Sequence, residues 1–294
     1  MPTPLRHAFL PLLLAALTLT ACTSSSGDGA APEPTTAVPN GTLMLAGGAA
    51  ETTLHAEFVR LAGGADAAIV CVPTAWGEVA MDEAREWCTR RLGTAGASPD
   101  NVTVLHTRDT LVADTDSFAA PLQSADAVWF AGGRQWRIYD AYAETKTLEG
   151  FRSVLERGGV IGGSSAGATI QGSFLVRGDT ETNTIMMGNH QEGFGFLPQS
   201  AVDQHLLARD RQYDLIPVIE AHPELLGIGI DENTAIVVQG DTARVVGESV
   251  VAFYDHRRWA RADSALERDD RFFFLEPGDR LNLRTRQELV PVAP

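Results

Sequence analysis

A glycine-flanked serine is the first feature of the sequence that is suited to chemistry. The segment Gly163-Ser164-Ser165-Ala166-Gly167 has the pattern G-x-S-x-G and follows the apolar residues Val160-Ile161. In a sharp turn from strand to helix, this pattern exposes a serine hydroxyl at a sheet edge and points helix N–H groups toward it. We therefore predict that Ser165 is a nucleophile. A glycine-rich turn with a capping serine is the alternative.

A serine nucleophile needs a base, and several histidines follow it in the chain: His190, His205, His222 and His256. His205 stands out because it lies in the charged segment 203–211, which also contains Arg209 and Arg211. Residues two positions apart cannot share one helix face, so a role for both arginines requires a loop or strand, and otherwise only one faces the site. The alternative for His205 is an ordinary surface histidine.

The third group of such a site is a carboxylate that orients the imidazole. The segment 229–235 places Asp231 and Glu232 between two apolar runs. Either acid fits this role. The alternative is a polar turn between strands, which is common for Asp-Glu-Asn.

The elements that position these residues alternate between strand and helix. Short apolar runs occur at 42–45, 67–72, 102–105, 126–130 and 160–161, and helical periodicities occur at 80–92 and 148–155. This alternation predicts an α/β fold with a mostly parallel sheet and helices on both faces.

Glycine pairs end three of these strands, at 47–48, 132–133 and 162–163. Ligands bind beyond the carboxyl ends of such strands, although plain tight turns would explain the glycines equally well. No G-x-G-x-x-G opens a helix after the first strand, which disfavours a dinucleotide site. Closely spaced strands at 235–238, 243–246, 250–253 and 271–275 predict an antiparallel C-terminal extension of the same sheet.

The N-terminus has the pattern of an export signal. Residues 1–21 contain Arg6, then an apolar run, then small residues before Cys22. The run is too short for a permanent membrane span. Leu19-Thr20-Ala21-Cys22 resembles a bacterial lipobox, so we predict a signal peptide at 1–21 and lipidation of Cys22, with simple secretion as the alternative. Residues 22–40 are small, polar and Pro-rich, which predicts a flexible tether, and 41–294 a single domain.

Charge and cysteine content narrow the class of protein. The chain has 23 Lys and Arg against 38 Asp and Glu, a net charge of -15. Loss of residues 1–21 removes Arg6, which leaves 22 basic residues and a charge of -16. This acidity argues against nucleic-acid binding.

Cys71 and Cys88 lie on apolar patterns, and we predict two buried thiols rather than a disulfide, although export permits one. Neither has the neighbours of a metal ligand.

Four motifs in order resemble the cyanophycinase family of serine peptidases, of which aspartyl dipeptidases are more distant relatives. The motifs are Gly132-Gly133-Arg134-Gln135, the serine segment, Asp203-Gln204-His205 with its arginines, and Gly229-Ile230-Asp231-Glu232, and the resemblance covers about residues 41–285. It implies a class I glutamine amidotransferase-like, flavodoxin-like fold. Its order of nucleophile, histidine and acid differs from that of α/β-hydrolases.

The resemblance implies a role for each matching residue. Ser165 matches the family's nucleophile, His205 its general base and Glu232 the supporting acid, while the amides of Gly133 and Ala166 match the oxyanion donors. The residues that match the pocket for an aspartyl or β-linked aspartyl group are Gln135, Asp203, Gln204, Arg209 and Arg211. No metal or organic cofactor is implied.

Two positions depart from the family pattern. They weaken the prediction of the substrate more than the prediction of the catalytic residues. Asp214 replaces a third arginine, and Tyr139 replaces a lysine. An Arg-to-Asp exchange removes a fork suited to carboxylates. The sequence thus predicts an envelope peptidase, lipid-anchored to a bacterial membrane, that cleaves beside an aspartyl or β-aspartyl residue. A serine esterase that uses a later histidine such as His256, or an inactive lipoprotein that binds aspartyl peptides, is the alternative. Whether the protein forms a homodimer is left open by the sequence.

Overall fold

The computed structural model describes Met1 and residues 38–259 and 267–289. Its strands are β1 Val38–Ala46, β2 Ile69–Val72, β3 Val102–Val104, β4 Ala127–Phe130, β5 Val160–Ser164, β6 Gly172–Gly178, β7 His190–Glu192, β8 Leu197–Gln204, β9 Leu226–Ile230, β10 Thr234–Gly240, β11 Thr242–Gly247, β12 Val251–Asp255, β13 Phe273–Leu275, β14 Arg280–Asn282 and β15 Gln287–Glu288. Its α-helices are α1 Thr52–Ala62, α2 Met81–Thr94, α3 Thr110–Ala113, α4 Asp116–Ala119, α5 Gln135–Tyr142, α6 Lys146–Glu156, α7 Ala166–Thr169, α8 Ile216–Ala221 and α9 His256–Trp259.

The first sheet combines a parallel half with an antiparallel half. Its order is β15-β14-β11-β10-β1-β5-β4-β2-β3, in which β1, β5, β4, β2 and β3 run parallel. Strands β2 and β4 are buried along their whole length, as expected for continuous apolar runs covered on both faces. The predicted parallel α/β arrangement is confirmed here, and β10 and β11 form the predicted antiparallel extension, to which the unpredicted strand β14 is added.

A second sheet shows that the prediction of one sheet is wrong. Its order is β13-β12-β9-β8-β6-β7, with β6, β8 and β9 parallel and the other pairs antiparallel. Strands β12 and β13, predicted to extend the first sheet, belong to this one. Both faces of β9 are buried. An apolar run predicts that a strand is buried, but it does not predict which neighbouring strand it pairs with.

The core lies in layers on both sides of the first sheet. Alternate residues of β1 face opposite ways: Met44 packs with helices α1 and α2, whereas Leu43 and Leu45 pack with α5, α6 and the inner face of the second sheet. Helix α8 covers the outer face of the second sheet. The helices predicted on both faces of the first sheet are therefore present, and the second sheet shares one of those faces.

The two cysteines of the folded part are joined, which corrects the expectation of free buried thiols. Cys71 on β2 and Cys88 on α2 are fully buried and form a disulfide. Burial of both was predicted, but their pairing depends on how α2 lies against β2. Apolar periodicity does not fix that placement.

The N-terminal predictions fall outside the described residues. The signal peptide, Cys22 and nearly all of the tether lie in 2–37, and the described chain resumes at Val38, the first residue of β1. Among the described helices, none has the length and apolar character needed to cross a bilayer.

Candidate active site

Ser165 occupies a sharp turn between β5 and α7. Its backbone has φ of 56°, and its N–H donates to the carbonyl of Ala46 at 2.9 Å. Glycines make the turn possible: a Cβ on Gly163 would lie 2.4 Å from the carbonyl oxygen of Gly167, and a Cβ on Gly167 would lie 2.1 Å from that of Phe130. The G-x-S-x-G pattern therefore marks a strand-to-helix turn in which both outer positions exclude a side chain.

His205 follows the last residue of β8 and reaches Ser165. Its Nε2 lies 3.0 Å from the Ser165 Oγ, and its backbone N–H donates to Gly47 at 2.8 Å. A Cβ on Gly48 would lie 2.2 Å from the His205 ring, so only glycine leaves room for the imidazole. The two glycines after β1 thus position His205: Gly47 binds its backbone, and Gly48 lies against its ring.

The acid next to His205 is Glu232. Its Oε1 lies 2.5 Å from Nδ1 of His205. Because an ionised carboxylate only accepts, Nδ1 carries the proton and Nε2 is left to accept from the Ser165 hydroxyl. Asp231, the other candidate, instead accepts the N–H groups of Leu207 and Ala208 at 2.9 and 3.0 Å. It holds the turn after His205, a role that the sequence did not reveal.

The electrostatic surroundings keep His205 neutral. Burial lowers the pKa of its imidazole below the ordinary value of 6.5. The hydrogen bond to Glu232 acts in the opposite direction, and the positive charges of Arg209 and Arg211 add to the lowering. A neutral imidazole beside a serine hydroxyl at pH 7 is able to accept its proton.

The proposed oxyanion donors flank the serine. Ala166 directly follows Ser165 and opens α7. Gly133 belongs to the turn after β4, where a Cβ on the preceding Gly132 would lie 3.3 Å from the Ser165 Cβ. Gly133 has φ of 138°, and a Cβ there would lie 2.4 Å from the Ala75 carbonyl oxygen. Glycine is therefore required where this loop passes the serine.

Most of the predicted pocket residues are engaged with one another. The Asp203 carboxylate, fully buried, forms a two-pronged pair with Arg177 at 2.8 and 3.0 Å. The Arg177 guanidinium also pairs with Asp214. Arg211 donates to the backbone and side-chain oxygens of Gln204 at 3.0 and 2.8 Å. The sequence did not single out Arg177, because an isolated arginine at a strand end carries no motif.

The remaining predicted pocket residues differ in exposure. Gln135 is fully buried, and its side-chain amide donates to the carbonyls of Val176 and Arg177 at 2.8 and 2.9 Å, so it braces β6. Arg209 is exposed, and it forms no ion pair with an acid among the residues that the structure describes. Tyr139 donates to Glu192 at 2.9 Å.

The other histidines lie in other surroundings. His190 contacts Asp140 at 2.7 Å, and the ring of His222 lies 4.7 Å from that of Phe174. The ring of His256, the example of a later base in the esterase alternative, lies 5.4 Å from the ring of Trp259. Within the described part of the chain, His205 is the histidine that hydrogen-bonds to Ser165.

The model of peptidase family S51 matches residues 43–246, a span that contains all three residues of the Ser165 hydrogen-bond chain. The chain belongs to peptidase family S51. It is a hydrolase of the serine-peptidase type. The chain is 30% identical over 266 residues to a cyanophycinase of Geminocystis herdmanii, covering 85% of this chain and 96% of that one. A cyanophycinase of Synechococcus elongatus is 32% identical over 264 residues, covering 84% of this chain and 80% of that one.

Solved structures support the fold of this S51 peptidase. A peptidase from an acI-B1 Actinobacterium superposes with a TM-score of 0.59 at 20% identity, covering 83% of this chain and 97% of that one. A putative peptidase E from Listeria monocytogenes has a TM-score of 0.52 at 18% identity, covering 71% of this chain and 100% of that one. At these identities the likeness shows the fold alone.

The surroundings of His205 predict its titration. In histidine-labelled protein followed by NMR, the His205 Cε1 proton is expected to titrate below pH 6.5, because burial disfavours the imidazolium. Glu232→Gln should lower this pKa further, since Glu232 is the neighbour that raises it. Glu224→Gln, beside His222 at 3.6 Å, should leave the His205 titration unchanged. Titration above 6.5, or a rise in Glu232→Gln, contradicts this account.

Proposed function

We propose that this S51 peptidase hydrolyses an amide bond next to an aspartyl or β-aspartyl residue, with Ser165, His205 and Glu232 as its catalytic triad. The observation that carries the proposal is the continuous hydrogen-bond chain from the Ser165 hydroxyl through both His205 nitrogens to Glu232. Such a chain activates a serine hydroxyl, which is otherwise a weak nucleophile.

The mechanism proceeds through an acyl-enzyme. His205 takes the Ser165 proton as the oxygen attacks the carbonyl carbon, and the amides of Gly133 and Ala166 hold the oxyanion. Each such donor is worth about 3 kcal/mol in other enzymes. His205 then gives its proton to the departing amine as the C–N bond breaks. Water, deprotonated by the same imidazole, attacks the acyl-enzyme and releases the acid, and Ser165 regains its proton.

The charges near the serine support an acidic group on the acyl side. Arg209 is exposed without an acidic partner among the described residues, while Arg211 lies beside the oxygens of Gln204. A guanidinium suits a substrate carboxylate. Asp214 pairs with Arg177 and adds negative charge where the family resemblance expects a third arginine. We therefore propose that one carboxylate binds near Arg209, and that a pendant anion near Asp214 is disfavoured.

Relatives and fold fit this proposal. The cyanophycinases named above are similar over most of the chain. The four sequence motifs resemble the same family. We also propose the finer fold assignment, a class I glutamine amidotransferase-like parallel core with the serine turn at the carboxyl end of β5.

The substrate class is tested with purified protein on β-aspartyl-arginine polymer, isoaspartyl dipeptides and α-aspartyl dipeptides. We expect hydrolysis of at least one aspartyl substrate, and Ser165→Ala should lower kcat about a thousandfold or more. Ser153→Ala, which removes from α6 a hydroxyl that accepts from Arg157, is the matched control and should retain full turnover. Equal activity of Ser165→Ala and wild type excludes Ser165 as the nucleophile. Failure to hydrolyse any of these aspartyl substrates contradicts the substrate class.

We further propose that the chain is exported and anchored to a bacterial membrane through a lipid on Cys22. Two observations support this. Residues 1–22 have the order of a basic segment, an apolar run and a lipobox-like ending. The Cys71–Cys88 disulfide is the kind of bond that persists in an oxidising compartment such as the periplasm or cell surface.

The anchor is tested by expressing the full chain in a bacterial host. The wild-type protein should be in the membrane fraction, and its N-terminal peptide should carry the mass of acyl chains. Cys22→Ala removes the thiol and should abolish acylation and release the protein from lipid. The matched control, Ser26→Ala, should stay in the membrane. An N-terminal peptide that begins at Cys22 without added mass contradicts lipidation, as does acylation of Cys22→Ala.

A further inference from the structure

A recess opens beside Ser165, on the side of the first sheet covered by α1 and α2. Its volume is about 420 Å³, and Ser164 and Ser165 form part of its wall. The other walls come from Glu51, His55, Trp76, Trp87, Arg91 and Trp129. Asp203, Arg177 and Arg211 are not among the residues that line it.

The position of His205 indicates which half of a substrate this recess receives. The Gly47 carbonyl accepts the backbone N–H of His205, Gly48 lies against its imidazole ring, and the next residues along the chain, 49–51, line the recess. In an amide hydrolysis the imidazole passes its proton to the departing nitrogen. The departing amine therefore lies on the His205 side of the carbonyl, next to residues 49–51. The recess continues from that point.

The walls of the recess combine aromatic faces with one cation. The rings of Trp76 and Trp87 meet edge to face at 4.8 Å. The Arg91 guanidinium lies 5.7 Å from the centre of the Trp87 ring and forms no ion pair with an acid among the described residues. By contrast, the adjacent Arg90 pairs with Glu86 at 3.1 Å. A cation without a carboxylate beside two indoles suits a ligand that has both an aromatic group and an anion.

Two further groups in the recess add polarity without charge. Burial lowers the pKa of His55 to about 4, so its ring is neutral. Its Nδ1 lies 2.9 Å from the Glu51 carbonyl oxygen, which only accepts, so Nε2 carries the lone pair. Trp129 is fully buried, and its indole N–H has no hydrogen-bond partner among the described residues.

We propose that this recess, made by Trp76, Trp87 and Arg91 beside Ser165, binds the departing amino acid of the substrate, with its aromatic side chain against the indoles and its free α-carboxylate on Arg91. The proposal rests on the proposed function and deepens it, because it makes the enzyme cleave before a C-terminal aromatic residue. The exposed Glu51 at the same wall disfavours a second acidic group on that residue.

The chemical step is the one already described, with a defined leaving group. The Ser165 oxygen forms an ester with the aspartyl carbonyl carbon, the C–N bond breaks, and the nitrogen receives the His205 proton. The product is a free aromatic amino acid. Its carboxylate takes no part in bond making, so Arg91 contributes to binding alone.

Kinetics test the role of Arg91. The substrates are aspartylphenylalanine, in whichever aspartyl linkage the enzyme accepts, its C-terminal amide, and the corresponding aspartylalanine. Wild type should prefer the free acid over the amide about tenfold in kcat/KM, as expected for a charge-assisted contact, and phenylalanine over alanine. Arg91→Gln should raise KM for the acid and remove the preference for it. Arg90→Gln, the matched loss of one charge on α2, should keep the preference.

A binding measurement keeps the recess testable if no aspartyl compound is hydrolysed. N-acetylphenylalanine and its amide are titrated into wild type and into Arg91→Gln, with the fluorescence of the recess indoles as the readout. Tighter binding of the acid that is lost in Arg91→Gln supports the subsite even where hydrolysis fails, and then only the proposed function is refuted. Equal binding of acid and amide, or equal effects of Arg91→Gln and Arg90→Gln, overturns the subsite.

Discussion

The imidazole of His205 is the point at which the two sheets are joined chemically. Ser165 follows a strand of the first sheet, whereas His205 and Glu232 follow neighbouring strands of the second. The end of β1 connects them: the Ala46 carbonyl accepts from Ser165, and the Gly47 carbonyl accepts from His205. The hydrogen-bond chain therefore exists only when both sheets have their correct relative position. Packing of the shared core sets that position.

Three residues of this site also have a strained backbone. Ser165 and His205 both have φ of 56°, and Asn233, next to Glu232, has φ of 51°. Non-glycine residues in this left-handed region cost roughly 1–3 kcal/mol each. The surrounding contacts offset this cost, since Gly47 and Gly48 leave room for Asp231 and His205 at distances that exclude a Cβ. Strain held in this way keeps the nucleophile and the base pre-oriented.

Sequence patterns predicted what depends on local chemistry, and they missed what depends on tertiary placement. The turn at Ser165 was predictable because glycine spacing and the preceding apolar run are both local. The second sheet was not, since residues 172–200, which contain β6, β7 and the start of β8, carry neither clear alternation nor a motif. The same limit explains the disulfide of Cys71, whose partner lies on a helix packed across the sheet. Arg177 was missed because it acts through contacts with Asp203 that no spacing records.

The most direct test of the account is the site of reaction with a serine-directed fluorophosphonate, read by peptide mass spectrometry. We expect one adduct, on Ser165, that is lost in His205→Ala because the hydroxyl is no longer deprotonated, and that persists in His256→Ala. An adduct on Ser164 or on another serine, or labelling of Ser165 that is unchanged in His205→Ala, would contradict the claim that the His205 imidazole activates Ser165.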